Sequence, residues 1–265
     1  MTLEILICTI DNGIQNVKNL LLAPINGVSY LISWQHSENY KIPETPLSLI
    51  RDDVKIVTLK GKGLSRNRNN ALRHASGDIC LIADDDCSYK PEYFSQIISV
   101  YSNDDTLDFA TFRMKHSYEG KHYPSHSFDL KHFEKGYFIT SFELSFRRKA
   151  IQNKFHFNEL FGLGAPVLQS GEENIFAHEL ITAGINGRYF PIVVVEHDHP
   201  TTSSSRVANK GVIMAEGAYI YIAYKWTWTL RLILKAHRLN KVNHLGLFNN
   251  LSHLIKGIIY IIKNR

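Results

Sequence analysis

The sequence has few cysteines, no low-complexity tract and no long uncharged apolar run. Its three cysteines, Cys8, Cys80 and Cys87, follow no metal-site spacing, so we expect reduced thiols in a cytosolic protein. The first residues, MTLEILICTI, lack a basic leader, and they predict a first strand rather than a signal peptide. No repeat occurs at solenoid spacing, which excludes a repeat architecture. With 265 residues, 44% of them hydrophobic, the chain is long enough for one large core.

Acidic residues are nearly absent from the last part of the chain. Residues 206–265 contain ten Lys or Arg and one acid, Glu216, whereas residues 1–205 contain 20 basic and 24 acidic residues. The net charge of +5 therefore combines a body near −4 with a tail near +9. We expect a basic, partner-binding surface in this tail.

Short apolar runs alternate with helical patterns over much of the chain. The predicted strands are Leu3–Cys8, Val28–Ser33, Val54–Leu59, Ile79–Ala83, Asp108–Met114, Glu143–Phe146 and Tyr189–Val195. The predicted helices lie near Gly13–Leu22, Ser65–Ala75, Pro91–Tyr101 and Gly171–Ala183. This alternation predicts an α/β fold with a mostly parallel sheet and helices on both faces. Ligands of such sheets bind beyond the carboxyl ends of the strands.

Three adjacent carboxylates, Asp84, Asp85 and Asp86, directly follow the predicted strand ICLIA. Like charges this close repel one another, and folding alone does not require them. Because strand side chains alternate, Asp84 and Asp86 would share a face, where two carboxylates suit Mg²⁺ or Mn²⁺. A solvated acidic turn is the alternative, but the strand directs the run to the edge where ligands bind.

A glycine-rich and basic stretch, GKGLSRNRNNALRHASGD, precedes the aspartates. Its glycines, Lys62, Ser65 and Arg68 are suited to holding a phosphate through backbone N–H groups, a helix N-terminus and cations. A basic, exposed helix start is the alternative. A nucleoside diphosphate ligand needs both kinds of group: cations that bind its phosphates and carboxylates that bind its metal.

The stretch GLSRNRNNALRHASGDICLIADDD resembles the central signature of family-2 glycosyltransferases, which have the nucleotide-sugar-binding GT-A fold. The family's Arg-Asn pair corresponds to Arg68-Asn69, its Gly-Asp step to Gly77-Asp78, and its Asp-x-Asp motif to Asp84 and Asp86. The resemblance runs from the first strand to about residue 200. It implies that Asp84 lies near the ribose and that Asp86 binds a metal that bridges the diphosphate. We also expect Asp85 to contact the nucleotide.

The second strand departs from the family pattern. In many members it ends in an acidic pair that reads uracil, whereas here it ends in Ser33-Trp34-Gln35-His36. The Gln35 amide is able to pair with a pyrimidine edge, and Thr9 lies where the family packs around the base. The resemblance implies a nucleotide-sugar donor, and UDP is the nucleotide that the family commonly uses. Because this strand end lacks the acidic pair, the identity of the base stays open.

The segment QSGEENIFAHELITAG has apolar residues at helical spacing and ends in Gly184. It resembles the family's Glu-Asp motif at a helix start. Glu173 would then occupy the Asp position and remove the acceptor hydroxyl proton, as inverting sugar transfer requires. Glu172, one residue away, is the alternative base. Ser170 and Glu173 also fit a capping box, which would make Glu173 structural.

Two histidines, His197 and His199, follow a predicted strand in VVVEHDHP. Their spacing puts both rings on one side of an extended segment. Many related enzymes take a third metal ligand from this region, so either His199 or His197 would supply it here. A polar loop histidine is the alternative, since the chain has 13 histidines.

The tail, residues 206–265, is predicted to form basic amphipathic helices. In its first stretch, GVIMAEGAYIYIAYKWTWTLRLILKAHRLNK, the longest charge-free run is Gly217–Tyr224, which is far shorter than the ~20 residues that a spanning helix needs. Such helices typically lie in the interface of anionic membranes. Closing the core or forming a homodimer is the alternative. Nucleic acid is not expected, because the cations alternate with aliphatic faces.

Together these features predict a GT-A catalytic domain over residues 1–205 and a helical tail over 206–265. We expect a metal-dependent, inverting hexosyltransferase that uses a nucleotide-diphospho-sugar and a lipid-linked glycan acceptor. Its expected place is the cytoplasmic face of the plasma membrane, in bacterial capsule or lipopolysaccharide synthesis. A nucleotidyltransferase, or a non-catalytic sugar-nucleotide-binding partner of a membrane enzyme, is the alternative.

Overall fold

A computed structural model describes residues 1–115, 121–134, 136–197 and 209–264. The strands are β1 Leu3–Ile10, β2 Val28–His36, β3 Val54–Lys60, β4 Ile79–Asp84, β5 Phe109–Lys115, β6 Phe128–Asp129, β7 Leu144–Arg147 and β8 Gly187–Glu196. The α-helices are α1 Leu64–His74, α2 Pro91–Ser102, α3 Arg148–Ile151, α4 Glu172–Thr182, α5 Lys210–Ala223, α6 Trp228–Asn243 and α7 Leu247–Lys263. Short 3₁₀ turns cover Asp11–Gln15, Val17–Asn19, Leu47–Leu49 and Ser141–Glu143.

The strands of the described residues form one mixed sheet in the order β3-β2-β1-β4-β7-β5-β8-β6. β1 pairs in parallel with β2 and β4, β2 with β3, and β5 with β8. β7 runs antiparallel between β4 and β5, and β6 is antiparallel to β8. The predicted α/β fold with a mostly parallel sheet is confirmed. β1 and β4 are buried almost throughout, which explains their continuous apolar sequences.

The parallel register brings three candidate site residues to one edge of the sheet. In β1, Cys8 lies opposite Asp84 of β4, and Ile10 lies opposite Gln35 of β2. Thr9 lies between these two positions along β1. The carboxyl ends of β1, β2 and β4 therefore meet where the sequence predicted a ligand.

The helix predicted near Gly13–Leu22 is wrong, because the chain forms two short 3₁₀ turns there. Ile14, Val17 and Leu20 are buried at a spacing of three residues, which fits 3₁₀ rather than α geometry. The Asp11 carboxylate accepts hydrogen bonds from the Ser37 backbone N–H and hydroxyl, at 2.8 and 2.5 Å. Such side-chain bonds to other segments compete with helix formation.

The described residues divide by their contacts into two compact units. The first comprises residues 1–62, 66–156 and 179–197, and the second comprises residues 63–65, 157–178 and 209–264. The first unit holds a core of β-strand and α2 side chains. In the second, Phe161, Leu168 and Ile175 pack with side chains of α5 and α7. The predicted domain boundary at 205/206 stays a prediction.

The predicted C-terminal helices are present as α5, α6 and α7. α5 and α7 share an apolar cluster with α6 that includes Ile213, Leu232 and Leu254. Within the ranges that the structure describes, every helix is too short or too polar to cross a bilayer.

Candidate active site

Asp84 closes β4 and is held by two neighbouring side chains. Its Oδ1 accepts a hydrogen bond from Arg68 Nη2 at 2.9 Å, and its Oδ2 accepts one from the Ser141 hydroxyl at 3.3 Å. Arg68 is fully buried, so a carboxylate partner is needed to make its charge tolerable. Arg68, which the sequence linked to a phosphate, therefore contacts Asp84, and its effect on a ligand would be exerted through that carboxylate.

Asp85 is tied to the end of β1. Its Oδ2 accepts a hydrogen bond from the Thr9 hydroxyl at 2.5 Å. A Cβ atom at Gly13 would lie 2.3 Å from the same Asp85 oxygen, so only glycine permits this approach. Burial, aided by the charges of Asp84 and Asp86, raises the pKa of Asp85 to about 6, although the Thr9 hydrogen bond opposes the shift. Negative charge is thus concentrated at this edge.

Asp86 lies beside His197, which follows β8. The Asp86 Oδ2 and His197 Nε2 atoms are 3.3 Å apart, and the imidazole is buried while the carboxylate is half exposed. The His197 ring stacks on Phe142, with centroids 4.8 Å apart. The other predicted histidine, His199, lies outside the described residues.

A carboxylate oxygen beside an imidazole nitrogen suits Mn²⁺ better than Mg²⁺, because Mg²⁺ prefers oxygen ligands. Asp84 binds Arg68, whereas the Asp86 and His197 side chains lie 3.3 Å apart, close enough to hold one ion between them. The described part of the chain contains no cluster of three His, Cys, Asp or Glu side chains that would hold a metal by itself. A metal here would take its remaining ligands from water and phosphate oxygens, as Mg²⁺ commonly does.

The 3₁₀ turn Ser141–Glu143 supports two of these residues, and the sequence reading missed it. Ser141 donates to Asp84, and Phe142 stacks on His197. The turn is fixed by a capping box in which the Thr140 and Glu143 side chains bond each other's backbone N–H groups. The Thr-x-x-Glu spacing in TSFE was the available sequence signal.

The end of β2 buries polar atoms that have no hydrogen-bond partner among the described residues. These are the Gln35 amide nitrogen and both ring nitrogens of His36. Unpartnered buried polar atoms are uncommon in folded proteins, and a ligand at this edge would satisfy them. Burial lowers the pKa of His36, which favours a neutral ring with one donor and one acceptor. Trp34 is buried, and its indole N–H donates to the Asp11 carbonyl at 2.9 Å, so it belongs to the core.

Lys62 and Ser65 differ in their availability. Lys62 is exposed. Burial raises the pKa of the nearby Asp11 carboxyl, but hydrogen bonds from Ser37 and, to a smaller extent, the charges of His36 and Lys62 bring that pKa below its ordinary value. Ser65 is buried, and its hydroxyl donates to the Phe161 carbonyl oxygen at 2.7 Å. Lys62 is therefore free to contact a solvent-side anion, whereas the Ser65 hydroxyl is engaged with the backbone.

The two candidate bases begin α4. Glu172 is buried, and a Cβ atom at Gly162 would lie 3.1 Å from its Oε2. Glu173 is half exposed and accepts a hydrogen bond from the Asn174 side chain at 2.9 Å. With the helix beginning at Glu172, Glu173 is its second residue, one position short of a capping-box acid. Both carboxylates are favoured by the positive end of the helix dipole.

Comparison with known proteins finds one matching family model. The model described as "Glycosyl transferase family 2" matches residues 39–165, a range that includes α1 and the three aspartates. The match covers 127 of the 265 residues, so the chain is similar to this family over a little under half of its length. No curated protein is similar enough in sequence to count as a relative.

The chain shares its fold with crystal structures of S. aureus TarS. The complex of TarS 1–349 with UDP matches with a TM-score of 0.59 at 14% identity, over 95% of this chain and 75% of that one. The complex with UDP-GlcNAc matches with a TM-score of 0.57 at 14% identity, over the same shares. The longer TarS structure matches with a TM-score of 0.57 at 15% identity, over 93% of this chain but only 44% of that one. At these identities the likeness shows the fold, and the predicted GT-A fold is confirmed.

The Gly77-Asp78 step of the signature has a structural explanation. A Cβ atom at Gly77 would lie 2.7 Å from Glu4 Cβ of the neighbouring strand. The Glu4 carboxylate accepts hydrogen bonds from the backbone N–H groups of Ser76 and Gly77, and Asp78 accepts one from the Thr2 backbone. The step therefore ties the start of β4 to β1, which fixes the register of the aspartates.

Proposed function

We propose that this chain transfers a sugar from a nucleoside diphosphate-sugar to a hydroxyl of a glycan acceptor, with inversion and with Mn²⁺ or Mg²⁺. The observation that carries the proposal is the concentration of Asp84, Asp85 and Asp86 beside His197 at the carboxyl edge of the sheet. Carboxylates held this close in a partly buried site favour a bound cation, and a cation there suits a diphosphate.

The donor is proposed to be UDP-linked. Two of the TarS crystal structures that share the fold are complexes with UDP and with UDP-GlcNAc. In this chain the buried Gln35 amide offers a donor and an acceptor to a pyrimidine edge, beside Thr9. Asp84 is assigned to the ribose, Asp85 to the base side, and the exposed Lys62 to the phosphates. Ser65 and Arg68 are assigned an indirect role, because their polar groups bind the protein.

The metal is proposed to bind Asp86 and His197, with Asp84 nearby and His199 as a further candidate. A bound divalent ion acts as a Lewis acid that neutralises charge on the departing diphosphate. Contacts within the protein orient both side chains. His197 stacks on Phe142, and Asp86 contacts His197.

Glu173 is proposed as the general base, with Glu172 as the alternative. The acceptor hydroxyl oxygen forms a bond to the anomeric carbon as Glu173 accepts its proton. The bond from that carbon to the diphosphate oxygen breaks, and the nucleoside diphosphate leaves with the electron pair. Glu173 suits this role better, because its carboxylate is half exposed whereas Glu172 is buried.

The acceptor is proposed to be a lipid-linked glycan at the cytoplasmic face of the plasma membrane, within bacterial surface polysaccharide synthesis. The basic C-terminal helices support this proposal, because they would hold the enzyme where such an acceptor lies.

The test is a screen of nucleotide sugars for Mn²⁺-dependent release of nucleoside diphosphate. We expect Glu173→Gln to lower turnover by about 10²–10⁴-fold while the donor still binds in calorimetry. Asp86→Ala should remove the Mn²⁺-dependent part of donor binding. Glu92→Gln and Asp105→Ala, at exposed carboxylates of the same protein, are the matched controls and should leave both readings unchanged.

Three outcomes would contradict the proposal. Release of pyrophosphate would identify a nucleotidyltransferase. Donor binding without turnover by any nucleotide sugar would identify a non-catalytic binding partner. Donor affinity that changes neither on adding Mn²⁺ nor in Asp86→Ala would contradict the proposed metal site.

A further inference from the structure

The last helix, α7, is apolar on two neighbouring faces, about 100° apart around its axis. Leu254, Ile258 and Ile261 are buried within the helical cluster. A second row, at spacings of 7, 4 and 3 residues, consists of Phe248, Ile255, Ile259 and Ile262 and is exposed to solvent. Phe248 is 84% exposed, so packing among the described residues does not explain the row.

The preceding helix, α6, repeats this arrangement. Leu232, Ala236 and Leu239 are buried, whereas Leu230, Ile233 and Leu234 are exposed. Trp226, in the turn before the helix, is 96% exposed. α6 and α7 also pack against one another within the same compact unit. Ten large apolar side chains of this segment are exposed, and eight of them are called the outer face here: Trp226, Leu230, Ile233, Leu234, Phe248, Ile255, Ile259 and Ile262.

The charges around the outer face have one sign. The exposed basic side chains of α6 and α7 are Arg231, Arg238, Lys241, Lys256 and Lys263. The tail's one acid, Glu216, is already engaged with Lys235 at 2.8 Å. An exposed apolar surface of this extent marks an interaction site, and the cations around it select an acidic partner.

We infer that the outer face docks on a bilayer that contains anionic lipids. Apolar side chains would enter the interface while the flanking Lys and Arg contact lipid phosphates. A second copy of the chain suits this face less well, because a symmetric contact would bring two basic surfaces together. The inference extends the proposed function, since an enzyme held at a membrane would meet a lipid-linked acceptor, but the docking test does not depend on turnover.

The test is co-sedimentation of the full chain with vesicles of phosphatidylcholine alone or with about one-third phosphatidylglycerol. We expect at least tenfold tighter binding to the anionic vesicles, and a large loss in roughly 0.5 M NaCl, where charge interactions are screened within about 4 Å. Ile255→Ser/Ile259→Ser should weaken binding by about tenfold or more, because it removes apolar surface from the interface. Lys256→Gln/Lys263→Gln should weaken binding to anionic vesicles only.

Matched controls carry the same changes on the other compact unit. Leu47→Ser/Ile50→Ser removes two exposed apolar side chains there, and Lys18→Gln/Lys131→Gln removes two exposed cations. Both should bind vesicles like the unmodified chain. If the double isoleucine variant is misfolded by circular dichroism, Phe248→Ser replaces it, because that ring has few contacts to lose.

Equal binding by the outer-face variants and their controls would overturn the inference. So would a concentration-dependent dimer in sedimentation that Ile255→Ser/Ile259→Ser dissociates while vesicle binding is unchanged. The two proposals fail separately: docking variants should release nucleoside diphosphate normally without vesicles, and Asp86→Ala should still bind vesicles.

Discussion

Lys121 and Glu143 form a buried ion pair close to the candidate metal site. Both side chains are almost fully buried, and the Lys121 ammonium contacts the Glu143 carboxylate and the Thr140 hydroxyl. Tyr123 donates a second hydrogen bond to Glu143. The Lys121 ammonium also lies 5.0 Å from the centre of the Tyr137 ring. This arrangement holds the turn that carries Ser141 and Phe142, so a charge pair far from the aspartates in sequence supports them.

We expect Lys121→Met to lower the free energy of unfolding by about 3–5 kcal/mol, because it leaves the buried Glu143 charge without its counter-ion. Urea denaturation measures this loss. Lys131→Met, at an exposed lysine, is the control and should change stability by less than about 0.5 kcal/mol. A loss below about 1 kcal/mol for Lys121→Met would show that the pair does not stabilise the fold.

At the scale of elements, α5 and α7 approach each other at two glycines. A Cβ atom at Gly217 would lie 2.1 Å from the Leu254 carbonyl oxygen, and one at Gly257 would lie 1.8 Å from the Met214 carbonyl oxygen. Both obstacles are backbone atoms, which cannot move aside as a flexible side chain can. The helix pair therefore depends on small residues at these two positions.

Gly257→Ala should destabilise the protein by about 1–3 kcal/mol, because the added methyl group forces the two helices apart. The sign makes the prediction specific, since alanine in an unobstructed helix would instead stabilise by about 0.5–1 kcal/mol. Ser252→Ala, on the exposed side of the same helix, is the control. Thermal unfolding of both variants measures the change in melting temperature. A higher melting temperature for Gly257→Ala would disprove the close approach of the two helices.

At the scale of the whole molecule, the three cysteines report on global unfolding. Cys8, Cys80 and Cys87 are free and buried. Burial raises the pKa of Cys8 to about 12 and holds the pKa values of the other two well above the usual range. Thiols of this kind react slowly, because both access and the thiolate form are suppressed.

Ellman's reagent should therefore modify none of the three thiols quickly in the native protein and all three in guanidinium chloride. A Ser252→Cys variant, with its new thiol on an exposed helix position, supplies the fast reference rate. If a native cysteine reacted as fast as this reference, the segment that carries it would open locally rather than with the whole fold.

The fold class, most of the strands and the position of the aspartates were predictable from local sequence patterns. Apolar runs predicted β1–β4 to within three residues at each end, and the Asp run was expected at the end of β4. These features are local: side-chain alternation, apolar runs and turn residues act over a few neighbouring positions. The helix near Gly13–Leu22 was wrong, because hydrogen bonds to Ser37 and the approach to Asp85 override that local pattern.

The contacts that hold the candidate site together were not predictable from the sequence, and they appear only in the folded chain. Arg68 contacts Asp84, 16 residues away, and Thr9 contacts Asp85, 76 residues away. Glu196, at the end of β8, exchanges backbone hydrogen bonds with Ser88, and this bridge brings the following His197 to Asp86. No local pattern encodes such pairs, since strand order and register, rather than sequence neighbours, set which side chains meet. The residue types at the site follow from the sequence, and their partners follow from the packing of the sheet.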